Sequence, residues 1–304
     1  MERNTVRALL GVALALSLIG SACGSSGGGS PSKGTVTIGA QSFSENATLA
    51  NIYGTALKDS GYTVKYRLNL GQRAVVAPAL ERGDIDLYPG YTASDLEFYN
   101  SKKGEAGNDA QANAKKLNGY LQPKGLEALS VSPATDQNAF VVTKQTADRY
   151  GLHSLSDLSK ASGQLVMGGP QDCPGRPDCL GGLQSQYGAQ FKEFKPLDLD
   201  GPLTRNALSH GDIQLALMFS TDGLIAGNNW VVLSDPKHIV SADQVVPIVR
   251  TKTVSSDAQK VLDGVSAKLT TEQLTALNKK TDVDKDEPAE AAQGWLKNRG
   301  YQTS

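Results

Sequence analysis

The frame Ala-Leu-x-x-Gly-Asp-Ile-x-Leu is written twice in this chain, as ALERGDIDL from residue 79 and as ALSHGDIQL from residue 207, 128 positions further along. In each copy a helix-like stretch stops on a glycine, Gly83 or Gly211, the residue that most readily takes the left-handed conformation closing a helix. A strand-like run follows, and a polar segment leaves its end. A helix–strand unit of this kind belongs to a sheet covered by helices, and a protein made of two similar lobes would carry it twice.

The chain is long enough for two such lobes, with 304 residues of which 39% are hydrophobic and 20% charged. Its first segment obeys another rule. Arg3 and Arg7 precede an apolar run over residues 8–19, too short to span a bilayer comfortably, and small residues lead to Cys23. Residues 1–22 therefore read as an export signal. Gly20-Ser21-Ala22-Cys23 resembles a lipoprotein cleavage box, which makes Cys23 the expected lipid-bearing N-terminus; an ordinary signal peptide cleaved nearby is the alternative. The Gly/Ser-rich residues 23–34 carry too little apolar surface to fold and read as a flexible tether. In an exported chain, Cys173 and Cys179 are expected to form a disulfide, since their spacing matches no common zinc pattern and no histidine lies in the segment. With 30 basic and 31 acidic side chains and no basic stripe, nothing suggests a nucleic-acid partner.

Apolar periodicity divides the remainder into alternating strands and helices. TVTIG is the first strand, and Ser44 is expected to cap a helix carrying Leu49, Ile52, Tyr53 and Leu57. YTVKYRLNLG is a second strand, a helix follows through Val75, Val76, Ala79 and Leu80, and DIDLY is a third strand. The series resumes with NAFVVTK, GQLVMGGP and DIQLALMFS as strands and GPLTRNALSHG as a helix, while QVVPIVRTK is a return crossing into the first lobe. Helices close the chain, starting at Ser255 or Ser256, at TTEQL and at Asp286. The expected architecture is α/β with two mostly parallel sheets: residues 35–138 in lobe I, 139–244 in lobe II, and 245–304 back in lobe I. Ligands of open α/β sheets bind beyond the carboxyl ends of the strands. That places the loops after Ile38, Leu70, Tyr88 and Met218 along one cleft.

Enzyme signatures are missing from these loops: no Gly-x-Ser-x-Gly elbow joins a strand to a helix, and neither a phosphate-binding Gly-Lys loop nor a His-Glu-x-x-His motif is present. His153, His210 and His238 are dispersed and read as surface residues. A secreted hydrolase using Asp84 or Asp86 with one of them is the weaker reading, and no cofactor or metal is implied. Binding residues are better represented. Asp86, Tyr88 and Tyr91 cluster at the third strand, with Asp86 and Tyr88 on one face by the period of two. Aromatic faces beside an acid attract a cation. Arg73, and Arg176 inside the cysteine loop, supply positive charge able to clamp a carboxylate.

Taken in order, IGAQSFSEN, ALERGDIDLYPGYTASDL, FKEFKPLDLDGPLTRNALSHGDIQLALMFSTDGLI, WVVLSDPKH and VPIVR resemble the solute-binding proteins of osmoprotectant ABC importers, which take glycine betaine, choline, carnitine or proline betaine. The resemblance implies a type II periplasmic-binding-protein-like fold, two lobes joined by two hinge crossings. It implies a non-enzymatic receptor on the outer face of the cytoplasmic membrane, monomeric by default, delivering solute to a permease driven by a cytoplasmic ATPase. It places Tyr88 and Tyr91 with Asp86 in an aromatic cage, Phe219, Ser220, Thr221 and Asp222 opposite, Arg176 on the ligand's carboxylate, and Gln41 and Phe43 in the first loop. This chain departs from the pattern at Phe219, which replaces a tyrosine, at Gly90, where an acid is common, and at Asp243, where many relatives offer an aromatic. A reduced cage leaves room for an aromatic or polyhydroxylated solute as the alternative.

Overall fold

The computed structural model describes residues 32–302. The expected signal, lipid-bearing Cys23 and most of the tether lie outside them. Ten strands form two five-stranded sheets: β1 (Thr35–Gly39), β2 (Thr63–Arg67), β3 (Leu87–Tyr91), β4 (Leu126–Ala128), β5 (Asn138–Val142), β6 (Val166–Gly169), β7 (Glu193–Pro196), β8 (Leu215–Phe219), β9 (Val231–Val232) and β10 (Val245–Arg250). The first sheet has the order β2-β1-β3-β10-β4 and the second β7-β6-β8-β5-β9. In each, the pairs are parallel except for those made by one strand, β10 or β5, which runs antiparallel to its neighbours.

The repeated frame occupies the same place in both sheets. Helix Arg73–Arg82 ends on Gly83 (φ 82°) and helix Pro202–His210 on Gly211 (φ 79°), both left-handed C-caps that a side chain would strain. Each glycine delivers the chain to a central strand. β3 lies parallel to β1 and antiparallel to β10, as β8 lies parallel to β6 and antiparallel to β5. Tyr91 and Phe219 are therefore counterparts, each the last residue of its strand.

Both faces of each sheet carry apolar cores. Leu49, Ile52, Tyr53 and Leu57 pack on one face of the first sheet, and Val76, Leu80, Tyr88 and Leu117 on the other. Phe140, Leu155, Met167 and Leu183 do the same on one face of the second, with Leu208, Ile213, Met218 and Trp230 opposite. Two antiparallel segments join the sheets side by side: Asp136 N–H donates to Asp243 C=O at 3.0 Å, and Thr135 bridges Gln244.

Two local expectations need correction, and three helices had not been expected. Ser44 does not cap its helix; Phe43 holds the cap position, and Ser44 is the first helical residue, its hydroxyl donating to Asp282 Oδ1 at 2.5 Å. The third strand begins at Leu87, because Asp84 and Asp86 turn the chain in from Gly83. Helices Thr92–Tyr99, Ala110–Leu121 and Leu180–Tyr187 are short elements whose polar residues obscured their period.

Candidate functional site

The carboxyl ends of the parallel strands of both sheets meet around one buried acid. Glu45 sits in the first turn of helix Ser44–Asp59 and is 4% exposed. Tyr91 donates its phenol to Glu45 Oε1 at 2.6 Å, while Asn278 Nδ2 and Thr221 Oγ1 reach Oε2 at 2.6 and 2.7 Å. Thr221 follows β8 in lobe II, so this carboxylate ties the two lobes directly. Asn278 Nδ2 also donates to Thr221 C=O at 3.0 Å. Gly223 lies so close to lobe I that an added Cβ would stand 2.4 Å from Lys279 Cα. Phe43 stacks on Tyr91, ring centroids 6.3 Å apart. Burial, then the Glu45 charge, pushes the Tyr91 phenol well above its ordinary range.

A second buried acid organises the lobe I side. Asp95, fully buried, accepts Tyr88 Oη at 2.7 Å and Arg73 Nε at 2.9 Å on Oδ1, and the Tyr91 N–H at 2.7 Å on Oδ2. Burial opposes the charge on Arg73, but Asp95 and Asp243 outweigh it and hold the guanidinium above its usual range. A Cβ on Gly90 would meet Ile248 Cδ1 at 2.5 Å and Asp95 Oδ2 at 2.8 Å, so the acid common at that position has no room here. Asp243, in the second crossing, accepts from Ala93 N, Ser94 N and Ser94 Oγ at 2.8, 3.1 and 2.5 Å. Where an aromatic was expected, this residue caps a helix, and burial pushes its carboxyl to about 6.

On the lobe II side Arg176 and Arg205 are likewise occupied. Arg176 forks onto Asp178 with Nε and Nη2 at 3.0 and 2.7 Å, and Asn138 Nδ2 donates to the same carboxylate at 2.9 Å. Its loop is closed by the Cys173–Cys179 disulfide and folds over helix Leu180–Tyr187, leaving no space for a Cβ on Gly182, 1.8 Å from Pro177 C=O. Arg205 contacts Asp222 at 2.7 Å and Asp200 at 3.3 Å. Asp200, buried and beside Asp222, is pushed up to about 9. Asp222 also caps the next helix by accepting from Leu224 N at 2.6 Å, and Ser220 exchanges bonds with Gln137 through its N–H and Oγ.

Of the expected residues, Gln41, Phe43, Tyr91, Phe219, Ser220 and Thr221 stand at the strand ends that face between the sheets. Two others do not. Asp86 lies at the opposite, entry end of β3, where Oδ2 accepts the Thr37 N–H at 2.8 Å. Tyr88, three residues before Tyr91, points to the other face of the sheet and is fully buried in its core. Arg73, Arg176 and Asp222 are present but committed to partners within the protein. Gln41 differs from them all: it is 3% exposed, and its side-chain Nε2 has no hydrogen-bond partner.

Sequence reasoning passed over Glu45, Asp95, Asp136, Asp178 and Asn278. One of them carried a signal. Glu45 stands four residues before Leu49 and seven before Ile52, which puts an acid inside the apolar stripe of an amphipathic helix.

The chain matches the substrate-binding domain of ABC-type glycine betaine transport systems over residues 34–298. It is 27% identical over 312 residues to the carnitine transport binding protein OpuCC of Listeria monocytogenes, covering 99% of this chain and 98% of that one. It is 26% identical to the glycine betaine-binding protein YehZ of Escherichia coli, covering 88% and 91%. Among solved structures, a glycine betaine/carnitine/choline ABC transporter structure superposes with a TM-score of 0.79 at 25% identity, covering 88% of this chain and 99% of that one. Two mixed sheets of this strand order, an interlobe carboxylate and a match spanning nearly all the described residues lead to one conclusion: the chain is a two-lobed, type II periplasmic-binding-protein-like member of the family of substrate-binding domains of ABC-type glycine betaine transport systems.

Proposed function

We propose that the cleft captures a compact osmoprotectant whose recognised group is a quaternary ammonium, and that the lobes close over it before delivery to a membrane permease. The carrying observation is the placement of Tyr91 and Phe219 at equivalent strand ends, one per lobe, above a set of buried acids. Ring faces attract a desolvated cation by roughly 0.5–2 kcal/mol each. Arg73, Arg176 and Arg205 already hold carboxylates. A solute carboxylate therefore meets no uncommitted guanidinium from these three residues, and the unpartnered Gln41 amide is the donor we assign to a solute oxygen. This ranks choline at or above glycine betaine.

Calorimetric titration with choline, glycine betaine, carnitine and proline betaine tests the reading. Micromolar binding of at least one of them, weakened by Gln41→Ala, supports it, and silence across the panel removes it. With Tyr88 withdrawn into the core, the cage is reduced to Tyr91, Phe43 and Phe219, which favours as second reading an aromatic or polyhydroxylated solute; a thermal-shift panel of phenolics decides between the two. We further propose that the protein is held at the membrane through lipid on Cys23, acts as a monomer, and hands solute to a permease whose transport is driven by a cytoplasmic ATPase. Labelling with a lipid precursor, lost in Cys23→Ala, checks the anchor.

A further inference from the structure

Thr221 Oγ1 lies 2.7 Å from Glu45 Oε2 and 2.8 Å from Asp136 Oδ1. A hydroxyl has one proton to give. If both carboxyls were ionised, one of these contacts would press two oxygens together with no hydrogen between them. The other donors do not resolve this. Asn278 cannot be turned to present its oxygen, because its Nδ2 is also fixed by Thr221 C=O at 3.0 Å, and Tyr91 already serves Glu45 Oε1. A proton on one carboxyl completes the set: Asp136 O–H donates to Thr221 Oγ1, and Thr221 O–H donates to Glu45 Oε2.

The surroundings favour that proton. Glu45 and Asp136 are 4% and 8% exposed, and both are charged groups that burial penalises. Asp243 from the second crossing faces Asp136 and adds negative charge, Asp200 from lobe II faces it as an acid itself pushed up to about 9, and the Tyr91 phenol faces Glu45. The cations around the site are spent: Arg73 on Asp95, Arg205 on Asp200 and Asp222, and Lys279, next to Gly223, on Asp284. Burial, followed by the Glu45 charge, pushes Asp136 well above the carboxylate range, and burial raises Glu45 despite its donors.

The three partners also belong to different moving parts. Glu45 rides on a lobe I helix, Thr221 on the loop after β8 in lobe II, and Asp136 on the first crossing. We infer that the protein in this arrangement holds one proton between Glu45 and Asp136, and that this proton latches lobe II to lobe I through Thr221. Drawing Thr221 away admits water to both carboxyls and releases the proton. The sign follows: the latch is complete below the raised pKa and is lost as pH rises through it, so acid favours the joined lobes and alkali favours their release. The latch acts on closure whatever solute the cleft takes.

Two measurements on the full exported protein, without solute, test this. Infrared spectra record protonated carboxyls; Asp200 contributes its own, so the informative quantity is wild type minus Asp136→Asn at neutral pH. Asparagine supplies the Thr221 donor permanently, so the variant loses one protonated carboxyl, which should stand as a positive band in the difference. Small-angle scattering from about pH 5 to 9 should show wild type expanding with rising pH while Asp136→Asn stays compact. An unchanged carboxyl band overturns the shared proton, and equal expansion of both proteins overturns the latch. Should Asp136→Asn fail to fold, Glu45→Gln replaces it: one acid then has no rival for the Thr221 hydroxyl, and the scattering profile should again flatten, a retained pH response refuting the proposal.

Discussion

Asp95→Asn should be among the most damaging single-atom changes in lobe I. Asp95 is fully buried and receives three donors, from Tyr88 Oη, Arg73 Nε and the Tyr91 N–H, at 2.7–2.9 Å. An asparagine has one oxygen to offer. If it faces Tyr91 N–H, its amide nitrogen confronts the Tyr88 hydroxyl and the Arg73 guanidinium; reversed, it confronts the backbone donor. Hydrogen bonds to a charged group contribute about 1.5–3 kcal/mol each, and breaking a buried pair from one side costs about 3–5 kcal/mol. Because the Arg73 side chain keeps 22% exposure, the lower part of that range applies, about 3 kcal/mol. For a protein of this size that lowers the melting temperature by roughly 6–12 °C. Circular dichroism melts measure it, and Asp95→Asn/Arg73→Met should recover part of the loss by removing the stranded charge. A single variant melting within about 2 °C of wild type would refute the view that Asp95 organises this side of the cleft.

Gly223→Ala should cost roughly 1–3 kcal/mol, because its Cβ meets Lys279 backbone at 2.4 Å and must push lobe II off lobe I; chemical denaturation reads this directly. Phe219→Leu and Tyr91→Leu should each weaken a quaternary ammonium solute by about 2- to 30-fold in titration calorimetry while changing affinity for a carboxylate-only analogue little. Asp243 is raised to about 6, so its ionisation removes stability as pH climbs from the unfolded carboxylate value through that point; Asp243→Asn should flatten the melting profile between about pH 4 and 6, and a parallel profile would contradict the assignment.

The duplicated frame carried the architecture: its two glycines cap helices, and each frame leads into a central strand, β3 or β8. The cysteine pair was equally legible, from compartment and spacing. The site was read less well, for a geometric reason. Tyr88 and Tyr91 are neighbours in sequence, yet an odd separation along a strand sends them to the cores on opposite faces, and of the two only Tyr91 reaches Glu45. Arg73 and Arg176 were recognised as cations without their partners, because Asp95 and Asp178 reach them only after a helix and a disulfide loop have folded. Asp136 and Asn278 stand 142 positions apart and meet at Thr221 through tertiary packing alone, which no local pattern records.

The first sheet is completed in an unusual order. Its strand β10, from nearly the last fifth of the chain, inserts between β3 and β4, whereas β5–β9 of the second sheet are contiguous in sequence. A chain emerging from its N-terminus can therefore finish lobe II while lobe I still exposes the facing edges of β3 and β4, a gap that invites strand pairing with other molecules. Lobe I closes when residues 245–250 arrive.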